Sequence, residues 1–379
     1  MPTSPIPRPP ALDRLGYRSP RRNLLAIVAL LTAPLVLVLH GCGESSSPDP
    51  STSVASPSTE DGATTATSID VRVEPFTDFY FWTRAQAAGV VEVMPEFQPI
   101  IDAWMPVQDE RGAWGGFWRF DLAGMLATSP EEFGAWFDER DEFVPSRAGG
   151  QIPIRGPGKA MAEAMAPIWP RFLEEHWPQR RELLVDAKEQ LDRDFMPDHR
   201  RAFQYMLDSL GIVDPEIELP TYLTLDTHPP GASTFRTNEG AAAVLSTREL
   251  LSEGRFSDLA ETVLHESTHA LDIASRGDGD AFTRLRGKLE ERGIERGDPR
   301  HHDVPHLIMF VQSEETMRRL YDSDHLAYGD TQRGDIAPLY ERQGEASGIV
   351  RREWRRYLDG EIDLEQALEN IADQAAGRP

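Results

Sequence analysis

The stretch TVLHESTHALDIA, Thr262 to Ala274, sets a glutamate between two histidines, as His265, Glu266 and His269. Read as a helix, it takes Ser257 as its N-cap and carries Asp258 and Glu261 near the positive end of its dipole. Leu259, Val263, Ala270 and Ala274 form its apolar face, and Gly277 ends it. Helix positions four apart differ by about 40° of rotation and one turn of rise. His265 and His269 therefore project side by side, as two ligands of one tetrahedral ion must. Glu266 is turned by about 100° from His265. From there a carboxylate reaches a water on the ion without being a ligand itself. The pattern requires a third ligand further along the chain.

A second helix is predicted over VPHLIMFVQSEETMRRLY, Val304 to Tyr321, with Pro305 in its first turn. Leu307, Phe310, Met317 and Tyr321 make one stripe with Glu314 embedded in it. Ile308 and Val311 make the neighbouring stripe, which Glu315 continues. An acid set into an apolar face is costly unless paired, and a cation would pair it. Periodicity alone leans to Glu314.

HESTHALD resembles the HExxH segment of zincin metallopeptidases, in the HE-x-T-H-A form of the thermolysin-like enzymes. The metzincin branch requires a glycine three residues after the second histidine and a third histidine three beyond it; Asp272 and Ser275 stand there. The resemblance thus points to the gluzincin branch, whose third ligand is a glutamate on a later helix. A poorly characterised group of zincin-like bacterial proteins carries there a single acid before a basic pair. That pattern aligns with Glu315, followed by Arg318 and Arg319.

The resemblance implies Zn2+ held by His265, His269 and Glu315, with Glu266 as general base in the hydrolysis of a peptide or protein substrate. It further implies a zincin-like, two-lobe fold with a small sheet and an active-site helix. Tyr328, in HLAYGDTQRG, is the candidate oxyanion helper, with His302, His306 and Tyr321 as competitors. Thermolysin-like enzymes place an acid one turn after the third ligand to orient a histidine. Arg319 stands there, which leaves that role to Asp272 or another group. The alternative reading is a zinc-binding or structural envelope lipoprotein without activity.

The N-terminus says where such a protein works. Arg8, Arg14, Arg18, Arg21 and Arg22 precede an apolar run, Leu24 to Leu39, that contains Pro34 and is shorter than the roughly 18–20 residues of a spanning helix. It reads as a signal peptide over residues 1–41. LHGC, Leu39 to Cys42, resembles a bacterial lipobox, which implies cleavage before Cys42 and a lipid on its sulfur. Arg21-Arg22-Asn23-Leu24-Leu25 also resembles a twin-arginine signal. Residues 42–68, rich in Ser, Thr, Pro and Gly, read as a flexible tether. The expected location is the cell envelope, outside the cytoplasm, on a lipid anchor.

The 379 residues carry a formal net charge of −24. Without the first 41, which hold five Arg and one Asp, the balance is 34 Lys+Arg against 62 Asp+Glu, or −28. That argues against nucleic acid as a partner, which is bound through basic patches. With Cys42 as the single cysteine, no disulfide forms within the chain. GGQIPIRGPGKA, from Gly149, lacks the phosphate-loop spacing, since Pro153 and Ala160 occupy two required positions. GDGDAF, from Gly277, lacks the ligand spacing of a calcium loop.

The fold class read from the pattern is α+β, mostly helical. Ile69, Val71 and Val73 alternate as a short strand. Helical patterns cover Phe79 to Met105, Glu131 to Asp141 and most of Ala160 to Leu210. Ile217 to Leu225 alternates, and Pro220 within it suggests an edge strand able to pair with an extended peptide. Ala241 to Glu249 is a further strand candidate. The lobes expected are 69–275, ending with the HExxH helix, and 276–379, a helical lobe with the third-ligand helix.

Overall fold

The computed structural model describes residues 68–377, apart from 109–113, 146–150, 214–216, 228–230, 239, 253, 276–278 and 332–336. The expected signal peptide, Cys42, the Gly277 cap and all but the last residue of the expected tether lie outside the described residues. Among the described residues no helix is long and apolar enough to cross a membrane.

The strands are β1 (Ser68–Arg72), β2 (Phe143–Pro145), β3 (Gln151–Pro153), β4 (Glu218–Thr224), β5 (Ala232–Arg236) and β6 (Ala241–Ser246). β2 and β3 pair with each other, antiparallel. The other four form one sheet in the order β1-β4-β6-β5, in which β1, β4 and β6 are parallel and β5 runs against β6. With helices over most of the remaining chain, the fold is mostly helical α+β.

Side chains of period two send this sheet into two cores. Ala241, Ala243 and Leu245 of β6 enter one core together with Leu219 and Leu223 of β4. Ala242 and Val244 enter the other with Tyr222 and Phe235. The second core is aromatic. It is filled from α1 (Pro75–Ala87), α2 (Gln98–Gln108), α3 (Trp114–Leu126), α4 (Pro130–Asp138) and α5 (Arg155–Met165), with Phe76, Phe79, Phe120 and Phe133 fully buried. α6 (Trp169–Arg171) stacks Trp169 on Phe172. The first core takes its helices from the rest of the chain: α7 (Trp177–Asp194), α8 (His199–Leu210), α9 (Arg248–Ser252), α10 (Phe256–Ala274), α11 (Ala281–Glu291), α12 (Pro299–Leu320), α13 (Leu339–Leu358) and α14 (Leu364–Ala375).

Three local expectations are corrected. The Ile217–Leu225 segment is not an edge: β4 lies between β1 and β6. Pro220 is tolerated there because it pairs with Asp70 of β1 but precedes the β6 ladder, which starts at Thr221. The edge beside α10 is β5, whose ASTFR sequence carries too few large apolar residues to announce a strand. α10 begins at Phe256 without a side-chain cap from Ser257; Arg255 instead pairs with Asp258 at 2.9 Å. α12 begins at Pro299, capped by Asp298, so Pro305 lies inside it. A proline there removes the N–H that would bond the carbonyl of His301, and such sites bend helices.

A buried ion network ties the aromatic layer to the sheet. Arg180 on α7 binds both oxygens of Asp78 on α1 and, at 3.1 Å, Asp226 just after β4. Asp78 also accepts the N–H of Leu225 at 2.9 Å, and the guanidinium lies 4.5 Å over the Trp82 ring. Breaking a buried pair from one side leaves a charge uncompensated. Arg180→Met is expected to cost about 3–5 kcal/mol of folding stability, read as a lowered urea midpoint.

Candidate metal centre

α10 and α12 cross so that three imidazoles meet. His265 and His269 come from α10, one turn apart, and His306 comes from α12. Their ring centroids are separated by 4.8 Å, 5.1 Å and 4.9 Å, a nearly equilateral triangle. The Nε2 atoms of His265 and His306 stand 3.2 Å apart. Two nitrogens bound to one zinc at 2.0–2.1 Å in tetrahedral geometry are about 3.3–3.4 Å apart, so this pair has the spacing of two ligands. One candidate ligand atom from each of the three residues lies within 4.8 Å of the others.

Burial keeps these imidazoles from taking up protons. Burial depresses the pKa of His265 well below its usual value, reinforced by His269 and His306. Burial, then His302 and Arg286, lower His269 to about 4. Burial, then His269 and His302, lower His306 to about 3. At neutral pH all three rings are uncharged, which is the form that binds metal. His269 and His306 are only half buried, so the cluster is not sealed from solvent.

Glu266 lies beside this triangle and outside it. It is buried, and burial pushes its pKa up to about 7 against the opposing effect of a hydrogen bond from Thr234. The Thr234 hydroxyl, from edge strand β5, donates to Glu266 Oε2 at 2.7 Å. The carboxylate is thereby held by the sheet while the histidines are held by the helices.

Glu315, expected as the third ligand, is not brought to the histidines. It stands nine residues after His306 on the same helix, which is half a turn off in rotation and about 13 Å further along. Its carboxylate is held by Arg355 at 2.8 Å, Arg318 at 3.3 Å and Arg319 at 3.4 Å. Glu314, the alternative, is fully buried. It meets Arg351 at 3.0 Å, Arg318 and Arg355, and accepts from the Tyr340 hydroxyl at 2.9 Å. The buried acids on α12 are therefore compensated by guanidinium groups.

Asp272 is likewise engaged, by Arg286 through two bonds of 2.7 Å, and orients neither histidine. The His265 ring is instead fixed by stacking on Phe310, at 3.9 Å and 27°. Tyr328 lies one aromatic layer further out, parallel to Phe310 at 6.4 Å. The loop carrying it is tied to α10 through Glu261, which accepts the N–H of Tyr328 at 2.7 Å and meets His325 Nε2 at 2.6 Å. Gly329 lets this loop close, since a Cβ there would lie 2.4 Å from the Tyr340 ring. The competing candidates fall elsewhere: Tyr321 stacks on Phe195 at 5.1 Å, and His302 is largely exposed, its ring 5.7 Å from that of His306.

Two residues of the site are missed from sequence: His306, weighed there only as an oxyanion helper, and Thr234. His306 had a signal, since His302 and His306 are themselves four apart beside His301. Thr234 had none, because its strand is not legible in the pattern.

Comparison with known protein families, with curated proteins and with solved structures finds no match to this chain.

Proposed function

We propose that the protein is a zinc-dependent hydrolase of peptide bonds, with a zincin-like division of labour between an HExxH helix and a later helix. The reading rests on one observation: three imidazoles from two helices converge with ligand-like spacing, and the glutamate following the first of them is buried beside the group without joining it. His265, His269 and His306 would hold the ion. When bound, it supplies a Lewis acid and makes an attacking water acidic near neutral pH.

The chain's own residues do the remainder. Glu266 accepts the proton of the attacking water and passes it to the leaving amine. Thr234 keeps that carboxylate aimed, so little reorganisation is needed as the proton moves. Tyr328, on the far side of Phe310 from His265, would donate to the carbonyl oxygen as negative charge develops on it. Among the described residues β5 is the outer strand of the sheet, and an extended peptide could align on its edge beside Glu266. The resemblance of the N-terminal sequence to a lipoprotein signal supports a location on the outer side of a membrane, through a lipid on Cys42.

The test is elemental analysis of protein purified without chelator, with digestion of a peptide library. About one zinc per chain, and cleavage abolished by chelation and restored by Zn2+, are expected. Metal without cleavage would leave a zinc-binding protein, and no stoichiometric metal would end the proposal.

A further inference from the structure

A cleft of about 430 Å³ opens where β5 ends, lined by Trp118, Arg119, Trp136, Arg140, Phe235 and Arg236 among others. Its charge runs against that of the chain. The protein is acidic, at −24, yet among the described residues no Asp or Glu lines this cleft. Many arginines elsewhere meet a carboxylate, as Arg286 meets Asp272 and Arg292 meets Asp373. Among the described residues, Arg119, Arg140 and Arg236 do not. Arg140 lies 4.4 Å over the Trp136 ring with a buried Nε that has no hydrogen-bond partner. Arg236 donates to the carbonyl of Ile273 at 3.3 Å, and Ile273 lies one turn past His269. Trp118 packs edge-on against Phe235 at 4.7 Å. Guanidinium groups stacked on rings are held in place and present planar forks that match carboxylates.

From these observations we infer that the cleft is a binding site for acidic side chains of an extended peptide, making the protein selective for acidic substrates. The inference rests on the hydrolase reading for the word substrate and for the register of the peptide, not for the binding of acidic side chains. Arg236 follows Thr234 by two residues on β5, which is about 7 Å along a strand. A peptide aligned on the β5 edge with its scissile bond at Glu266 therefore brings a side chain two or three residues away into reach of these arginines. The overall negative charge repels acidic chains that do not reach the cleft, which sharpens the selection.

The test is binding, measured apart from catalysis. Fluorescein-labelled decapeptides of one alanine–serine background, carrying paired Glu, Gln or Lys, are titrated by anisotropy against the full chain bearing Glu266→Gln. The Glu peptide is expected to bind about tenfold tighter than the Gln peptide at low salt, with the preference shrinking towards ~0.5 M salt. Arg119 and Arg236 are both exposed, so charge reversal at either leaves the core intact. R119E and R236E, each added to that chain, are expected to remove the preference. Equal binding of Glu and Gln peptides, no binding of any peptide, or a preference that survives both reversals overturns the inference. Selective binding by a wild-type chain that cleaves nothing would sink the hydrolase reading and leave the cleft assignment standing. Cleavage of neutral and acidic peptides at equal rates would sink the cleft alone.

Discussion

His306→Ala is expected to strip the protein of zinc, while Glu315→Ala keeps the metal and loses stability instead. The two residues share one helix, Glu315 expected from sequence as the third ligand and His306 brought to His265 and His269 by the fold, so the pair of variants decides between them. Removing an imidazole leaves two ligands one turn apart on a single helix. Loss of merely supporting groups around a metal already costs 10–100-fold in affinity, and loss of a ligand should exceed about 100-fold. Elemental analysis after dialysis against a weak chelator reads this directly. Glu315 sits among Arg318, Arg319 and Arg355. Its removal leaves guanidinium groups partly uncompensated where α12 meets α13, at a cost of about 1–3 kcal/mol, read as a lowered thermal midpoint with zinc content unchanged. The opposite outcome, zinc lost with Glu315 and kept without His306, would return the third ligand to the acid.

Glu266→Gln carries the second large effect. Glutamine keeps the size of the side chain and its hydrogen bond to the Thr234 hydroxyl, so zinc content and folding should not change. It cannot take a proton from water at neutral pH, and turnover should fall about 10²–10⁴-fold. Retained turnover would remove Glu266 from the mechanism whatever the metal content.

Local periodicity made much of the fold readable. The strands at Ser68–Arg72 and Ala241–Ser246, the helices within residues 75–108, 130–138 and 155–210 and the HExxH helix appear where alternation or a turn repeat announces them, whereas the helix Trp114–Leu126 was not read from the pattern. The sheet order did not. Pro220 suggested an edge because a proline cannot donate to a ladder, but its neighbour on the β6 side begins one residue later. Such offsets come from register between strands, which no single segment encodes.

The same division runs through the candidate site. His265, Glu266 and His269 are related within one helical turn, so their side-by-side geometry follows from chain stereochemistry and was legible before any fold was known. A third group 37 residues further on depends on how α10 crosses α12, and that crossing is set by packing against the sheet and α13. A buried acid on an apolar face signals a compensating positive charge without naming it. A metal ion and an arginine cluster satisfy it equally well, and only the tertiary structure shows that guanidinium groups supply it and leave the histidines to close their own triangle.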